Sequence, residues 1–116
     1  MKKELRTNRM YFEDIVLSIE KIEEYVNGME YDDFLDDSKT VDAVIRNLEV
    51  IGEAAKNISQ GIKDQYPDFP WMEMYLMRNK VSHEYFGIDH EIIWDVIKNH
   101  LPQNKQQISD IALKII

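Results

Sequence analysis

Apolar residues recur along this chain at intervals of three and four, the period of helices that bury one face, and nowhere settle into the alternation of a strand. Between 8 and 27 the inward positions are Phe12, Ile15, Ile19, Ile22 and Val26, with Glu and Lys between them, and Asn27-Gly28 supplies a stop. The stretch 29–37 holds Tyr31, Phe34 and Leu35 among acids, enough for a short helical turn or an ordered loop that tucks in one aromatic. Asp37-Ser38 can cap a second long helix in which Val41, Val44, Ile45, Leu48, Ile51, Ala55 and Ile58 form a continuous stripe before Gly61. Gly52, Ala54 and Ala55 are small residues placed together there. Gly52 costs a helix about 1 kcal/mol relative to Ala, so close packing against a second helix is expected to compensate.

Gly61, Pro67 and Pro70 mark 61–70 as a connector, and Pro70 suits the first turn of a third helix with Asp68 as a nearby cap. That helix carries Trp71, Met74, Tyr75, Met77, Arg78 and Val81. Phe86-Gly87-Ile88 reads as a turn, and Asp89 caps a fourth helix with Ile92, Ile93, Val96, Ile97 and Leu101 on one side. Pro102 interrupts the pattern, which Ile108, Ile111, Ala112 and Ile115 resume, so a kinked helix or a break before a fifth helix fits. With no hairpin dipeptide and no internal repeat, the expected fold is an all-α, four- to five-helix up-and-down bundle.

Composition narrows the class. The 116 residues suit one domain spanning 1–116. Apolar residues make up 44%, and no apolar run approaches the roughly 20 residues needed to cross a bilayer. Basic residues at the start are not followed by an apolar segment of signal-peptide type, and there is no cysteine for a disulfide or a thiolate metal site. A soluble cytoplasmic protein is expected. The net charge of -8 is concentrated locally: residues 20–37 hold eight acids against Lys21, whereas 38–116 hold eleven acids and nine bases. The acidic run is either a solvated face or a docking surface for a basic partner.

The richest chemistry lies in Arg78-Asn79-Lys80-Val81-Ser82-His83-Glu84-Tyr85. An Arg that can hold a phosphate and stabilise charge on a pentacoordinate phosphorus, with a His that can move a proton near neutral pH, is sufficient to cut a phosphodiester. Five residues apart on an unbroken α-helix, Arg78 and His83 would stand roughly 140° apart around the axis. For them to share a phosphate, the helix should give way between Val81 and His83. Metal-independent RNA cleavage needs both a base and an acid, and one His per motif leaves that count short. A two-fold homodimer placing the site at the subunit junction supplies the second. His83, His90 and His100 lack the spacing of a helical zinc site, and no Gly-rich phosphate loop or Gly-x-Ser-x-Gly elbow is present, so neither metal nor cofactor is expected. Glu49 and Glu53, four apart on one helix face, suit a cation geometrically but better suit an ion pair with Arg46 or Arg78. A lone Arg and His at the end of a bundle helix are also common as surface or capping groups, so the motif alone does not decide.

Arg78-Asn79, three intervening residues and His83-Glu84-Tyr85 resemble the R-x-x-x-x-H-x-Y signature of the HepT-like toxins, in the HEPN superfamily of all-α ribonucleases. Residues 44–56, Val-Ile-Arg-Asn-Leu-Glu-Val-Ile-Gly-Glu-Ala-Ala-Lys, look like that family's long second helix, and Tyr85 through Trp94 to Leu101-Pro102 is similar to the family's segment on the C-terminal side of its motif. The resemblance implies a HEPN-like bundle and a dimeric, metal-independent endoribonuclease acting as the toxin of a toxin-antitoxin pair. By position, Arg78 and His83 would be the catalytic pair and Asn79 a supporting polar residue. Tyr85 would be the phenol to which a minimal nucleotidyltransferase antitoxin adds AMP, an anionic group that blocks the cleft and repels RNA. A second reading, suggested by the acidic segment, is a non-catalytic helical partner that presents a substrate to a nucleotidyltransferase.

Overall fold

A computed structural model describes residues 6–80 and 89–115, and these are helical wherever they are regular. Helix α1 (Asn8–Tyr25) starts where the Thr7 hydroxyl accepts from the Met10 N–H, and it ends at Gly28, whose φ of +80° only glycine adopts without strain. Its predicted stripe is the core: Phe12, Ile15, Ile19 and Ile22 are essentially inaccessible.

The acidic stretch after α1 is a short helix, α2 (Tyr31–Asp36), closed by a reciprocal cap in which the Asp33 carboxylate accepts from the Glu30 N–H at 2.9 Å. It tucks in Phe34, which is fully buried with its ring 5.1 Å from that of Trp94. Asp37 then caps α3 (Ser38–Asn57), accepting from both the N–H and the hydroxyl of Thr40. Those two bonds hold the Asp37 carboxyl below the usual range.

The connector predicted for 61–70 contains one more helix, α4 (Gln60–Gln65), started by Ser59. No apolar stripe announces it, since none of its residues is buried, and Gly61 faces open space instead of ending a helix. Helix α5 (Trp71–Lys80) comes directly after Pro70, whose carbonyl accepts from the Met74 N–H. Asp89 caps α6 (His90–Asp95) as expected.

At Pro102 the choice between a kink and a break resolves into a third arrangement. Helix α6 runs through a π-helical turn (Val96–His100) directly into α7 (Leu101–Lys114). Proline has no N–H to donate and its ring collides with the carbonyl four residues back. The widened turn, in which the Leu101 N–H reaches the Val96 carbonyl, absorbs that mismatch without ending the helix.

The outcome is an all-α bundle. Helix α3 packs against α1 on one side and α5 on the other, and α7 closes on α1. One continuous core runs through all of them. No helix among the described residues is long and apolar enough to cross a membrane.

Candidate active site

The site begins with an absence of side chain. A Cβ at Gly52 of α3 would lie 2.8 Å from the Tyr75 carbonyl oxygen, 3.0 Å from the Arg78 Cβ and 3.1 Å from the Arg78 nitrogen. The small patch predicted as a crossing point is therefore where α5 lies directly on α3, and it brings Arg78 beside the next residue of α3. Arg78 Nη1 donates to Glu53 Oε2 at 2.8 Å, which settles the choice of partner for Glu53. The guanidinium also lies 5.8 Å from the centre of the Tyr75 ring. Its side chain remains 38% exposed, while its base is packed against Gly52.

Arg78 opens onto a groove of about 520 Å³ between the start of α1, the polar face of α3 and the end of α5. Arg6, Tyr11, Asp14, Arg46, Glu49 and Asn57 share its walls with Glu53 and Arg78. The α1 side is anchored by Asn8, whose Oδ1 accepts from the Ser59 N–H and whose Nδ2 donates to the Ser59 hydroxyl. That link ties the chain just after Arg6 to the α3–α4 junction. Arg6 donates to Asp14 at 2.6 Å and lies 5.0 Å over the Tyr11 ring.

The face formed by Arg46, Glu49, Glu53 and Asn57 is readable from spacings of three, four and four. Arg6, Tyr11 and Asp14 are not, because only the packing of α1 on α3 brings them there.

Of the residues singled out in the sequence, Arg78 is placed at the groove and Asn79 lies in α5, its side chain outside the described residues. His83 and Tyr85, and the loosening of the helix required between Val81 and His83, also lie outside them. The other histidines sit elsewhere: His90 packs edge-on against Phe34, and His100 contacts Asp95 at 3.2 Å. Among the described residues no group of three or more acids and histidines is arranged to hold a metal ion.

Comparison with known proteins gives one consistent result. The model of a family described as ribonuclease HepT-like matches residues 15–111. The chain is similar to a Methanocaldococcus jannaschii protein provisionally named as an RNase, 44% identical over 92% of this chain and 88% of the relative. It is also similar to a Thermococcus cleftensis protein named probable ribonuclease HepT, 47% identical over 86% of this chain and 91% of the relative. A Caldanaerobacter subterraneus protein, again provisionally named as an RNase, is 37% identical over 95% of this chain and 98% of its own length. No solved structure matches significantly.

Proposed function

The chain belongs to the ribonuclease HepT-like family, and on that premise we propose that it is a metal-independent endoribonuclease using Arg78 and His83. The observation that carries the reading is the fixed position of Arg78. Gly52 sets the depth of α5, Glu53 orients the guanidinium, and the tip opens onto a groove large enough for a nucleotide strand. A guanidinium there takes a phosphate oxygen and stabilises the charge that builds as a ribose 2'-oxygen attacks phosphorus. His83 takes the 2'-OH proton or delivers one to the departing 5'-oxygen, and Asn79 supports the pair.

Both proton transfers require two histidines, so the active species is a homodimer with two copies of the motif at one junction. The outer side of α5 supports this: Met72 is 66% exposed and Leu76, one turn on, is 36% exposed, while Met74 and Met77 fill the core. A helix apolar on both sides has a surface for a second copy. The chain then acts as the toxin of a toxin-antitoxin pair, silenced when a nucleotidyltransferase partner joins the phosphorus of AMP to the Tyr85 oxygen and releases pyrophosphate from ATP.

The decisive experiment is incubation with RNA in EDTA, alongside His83→Ala. Cleavage that persists in EDTA and disappears in the variant is expected. Dependence on a divalent metal, undiminished cutting by His83→Ala, or full activity from a protein that stays monomeric in dilute solution would overturn the assignment.

A further inference from the structure

Three of the four arginines in this acidic chain, Arg6, Arg46 and Arg78, line the same groove. Arginine is the side chain best suited to phosphate, and only one of these three is needed at the cleaved bond. We propose that the groove is a track for single-stranded RNA, in which Arg46 takes a phosphate flanking the scissile one and the Arg6–Tyr11 stack supports an unpaired base. This rests on the ribonuclease reading above and extends it to the form of the substrate.

Arg46 lies seven residues before Glu53 on α3, so the two backbone positions share a face and stand about 10 Å apart along the helix axis, and Glu53 is the residue that holds Arg78. From that position the long side chain of Arg46 can reach the backbone phosphate next to the one held by Arg78, in the groove that both line. Arg6 and Arg78 are each bonded to a carboxylate, whereas no carboxylate among the described residues lies within ion-pair distance of the exposed Arg46. Arg46 can therefore accept a phosphate without displacing a partner.

At the α1 end, Arg6 lies over a partly buried Tyr11 ring, and guanidinium planes and phenol rings are surfaces on which splayed-out bases stack. Bases inside a duplex have both faces covered and cannot use it. Asp14, Glu49 and Glu53 balance the three arginines, so the groove carries no excess of positive charge. Binding then comes from a few directed contacts, not from a general attraction for polyanions.

The test uses the full chain carrying His83→Ala, so that RNA is bound without being cut, and a fluorescent single-stranded oligoribonucleotide monitored by anisotropy at several salt concentrations. Arg46→Ala on that background is expected to weaken binding about tenfold and to flatten the log K against log salt slope by about 0.7, the value of one phosphate contact on a single strand. Arg46→Lys restores the slope, and a duplex of the same sequence binds at least about tenfold more weakly. In the cutting enzyme, Arg46→Ala raises KM more than it lowers kcat. Unchanged affinity and slope in Arg46→Ala, or equal binding of duplex, overturns the track. If the parent still cuts RNA in that case, the nuclease reading stands without it. If the parent never cuts but shows the Arg46-dependent slope, the track holds and the nuclease reading falls. A parent that neither cuts nor binds removes both.

Discussion

The α3–α5 crossing and the α1–α7 seam belong to one core, yet they are made of opposite materials. At its closest point the crossing brings backbone against backbone: Gly52 offers no side chain, and the nearest atoms it faces are the Tyr75 carbonyl and the Cβ and nitrogen of Arg78. At the seam, the buried Ile108 and Ile111 of α7 join the core and the rim is closed by long side chains, with Lys105 reaching Glu23 at 2.9 Å and Glu20 at 3.9 Å. Backbone contact leaves no rotamer to adjust, so geometry at the crossing is fixed and is handed directly to Arg78. Flexible ends at the seam can find other arrangements. The difference teaches where this bundle needs precision, namely on the one helix pair that aims a guanidinium.

The sharpest way to expose the difference is to remove that guanidinium. Arg78→Ala is expected to lower RNA cleavage by about 10²- to 10³-fold, the usual cost of losing a donor to developing charge. Stability should change little, because both Arg78 and Glu53 are partly solvated and an exposed pair is worth about 0–1 kcal/mol. Single-turnover kinetics beside a urea melt measures both. A large loss of stability with little loss of rate would make Arg78 a structural strut.

Gly52→Ala attacks the same crossing from below. The added methyl gains about 1 kcal/mol of helix propensity but meets a carbonyl at 2.8 Å, which cannot rotate away, so α5 must move. Overpacking costs about 1–3 kcal/mol, and a net destabilisation of order 1 kcal/mol is expected in urea unfolding. Cleavage should fall further than that loss explains, since the shift carries Arg78 away from Glu53. Equal or greater stability with full activity would show that the approach has slack.

The same contrast decides how much was legible in the sequence. Features set by neighbours in sequence could be read: the stripe of α1, the Asp37 and Asp89 caps, the stop at Gly28 and the small patch at Gly52. Glu53 had two candidate cations, and only the crossing chose Arg78. Helix α4 escaped because a short helix with no buried residue leaves no periodic signal. The π-helical turn escaped because Pro102 signals a disturbance without saying how the backbone absorbs it. The α1 wall of the groove escaped for a different reason. Arg6 and Tyr11 meet Arg46 only through helix packing and the Asn8–Ser59 link, across fifty-one residues of sequence. His83, on which the proposed chemistry turns, is assigned from sequence and lies outside the described residues.

The smallest effect belongs to the seam and is the control for the other two. The bond to Glu23, aided by the charges of Glu23 and Glu20, raises the Lys105 pKa against partial desolvation. A lysine whose folded pKa is raised contributes stability that is present below its unfolded value of about 10.4 and is lost as pH climbs through the folded value. Lys105→Met keeps most of the stem that covers the core and removes the charge. With a third of the side chain exposed, the pair is screened, and less than about 1 kcal/mol should be lost at neutral pH. The gap between parent and variant should begin to close as pH rises past the unfolded value of about 10.4, and RNA cleavage at neutral pH should match the parent, because none of Lys105, Glu20 and Glu23 lines the groove. Urea midpoints taken from neutral pH into that alkaline range test the first claim and initial rates at neutral pH the second. A rate that fell with Lys105→Met would mean that the seam also helps to set the position of Arg78, and that precision in this bundle is not confined to the helix pair that meets at Gly52.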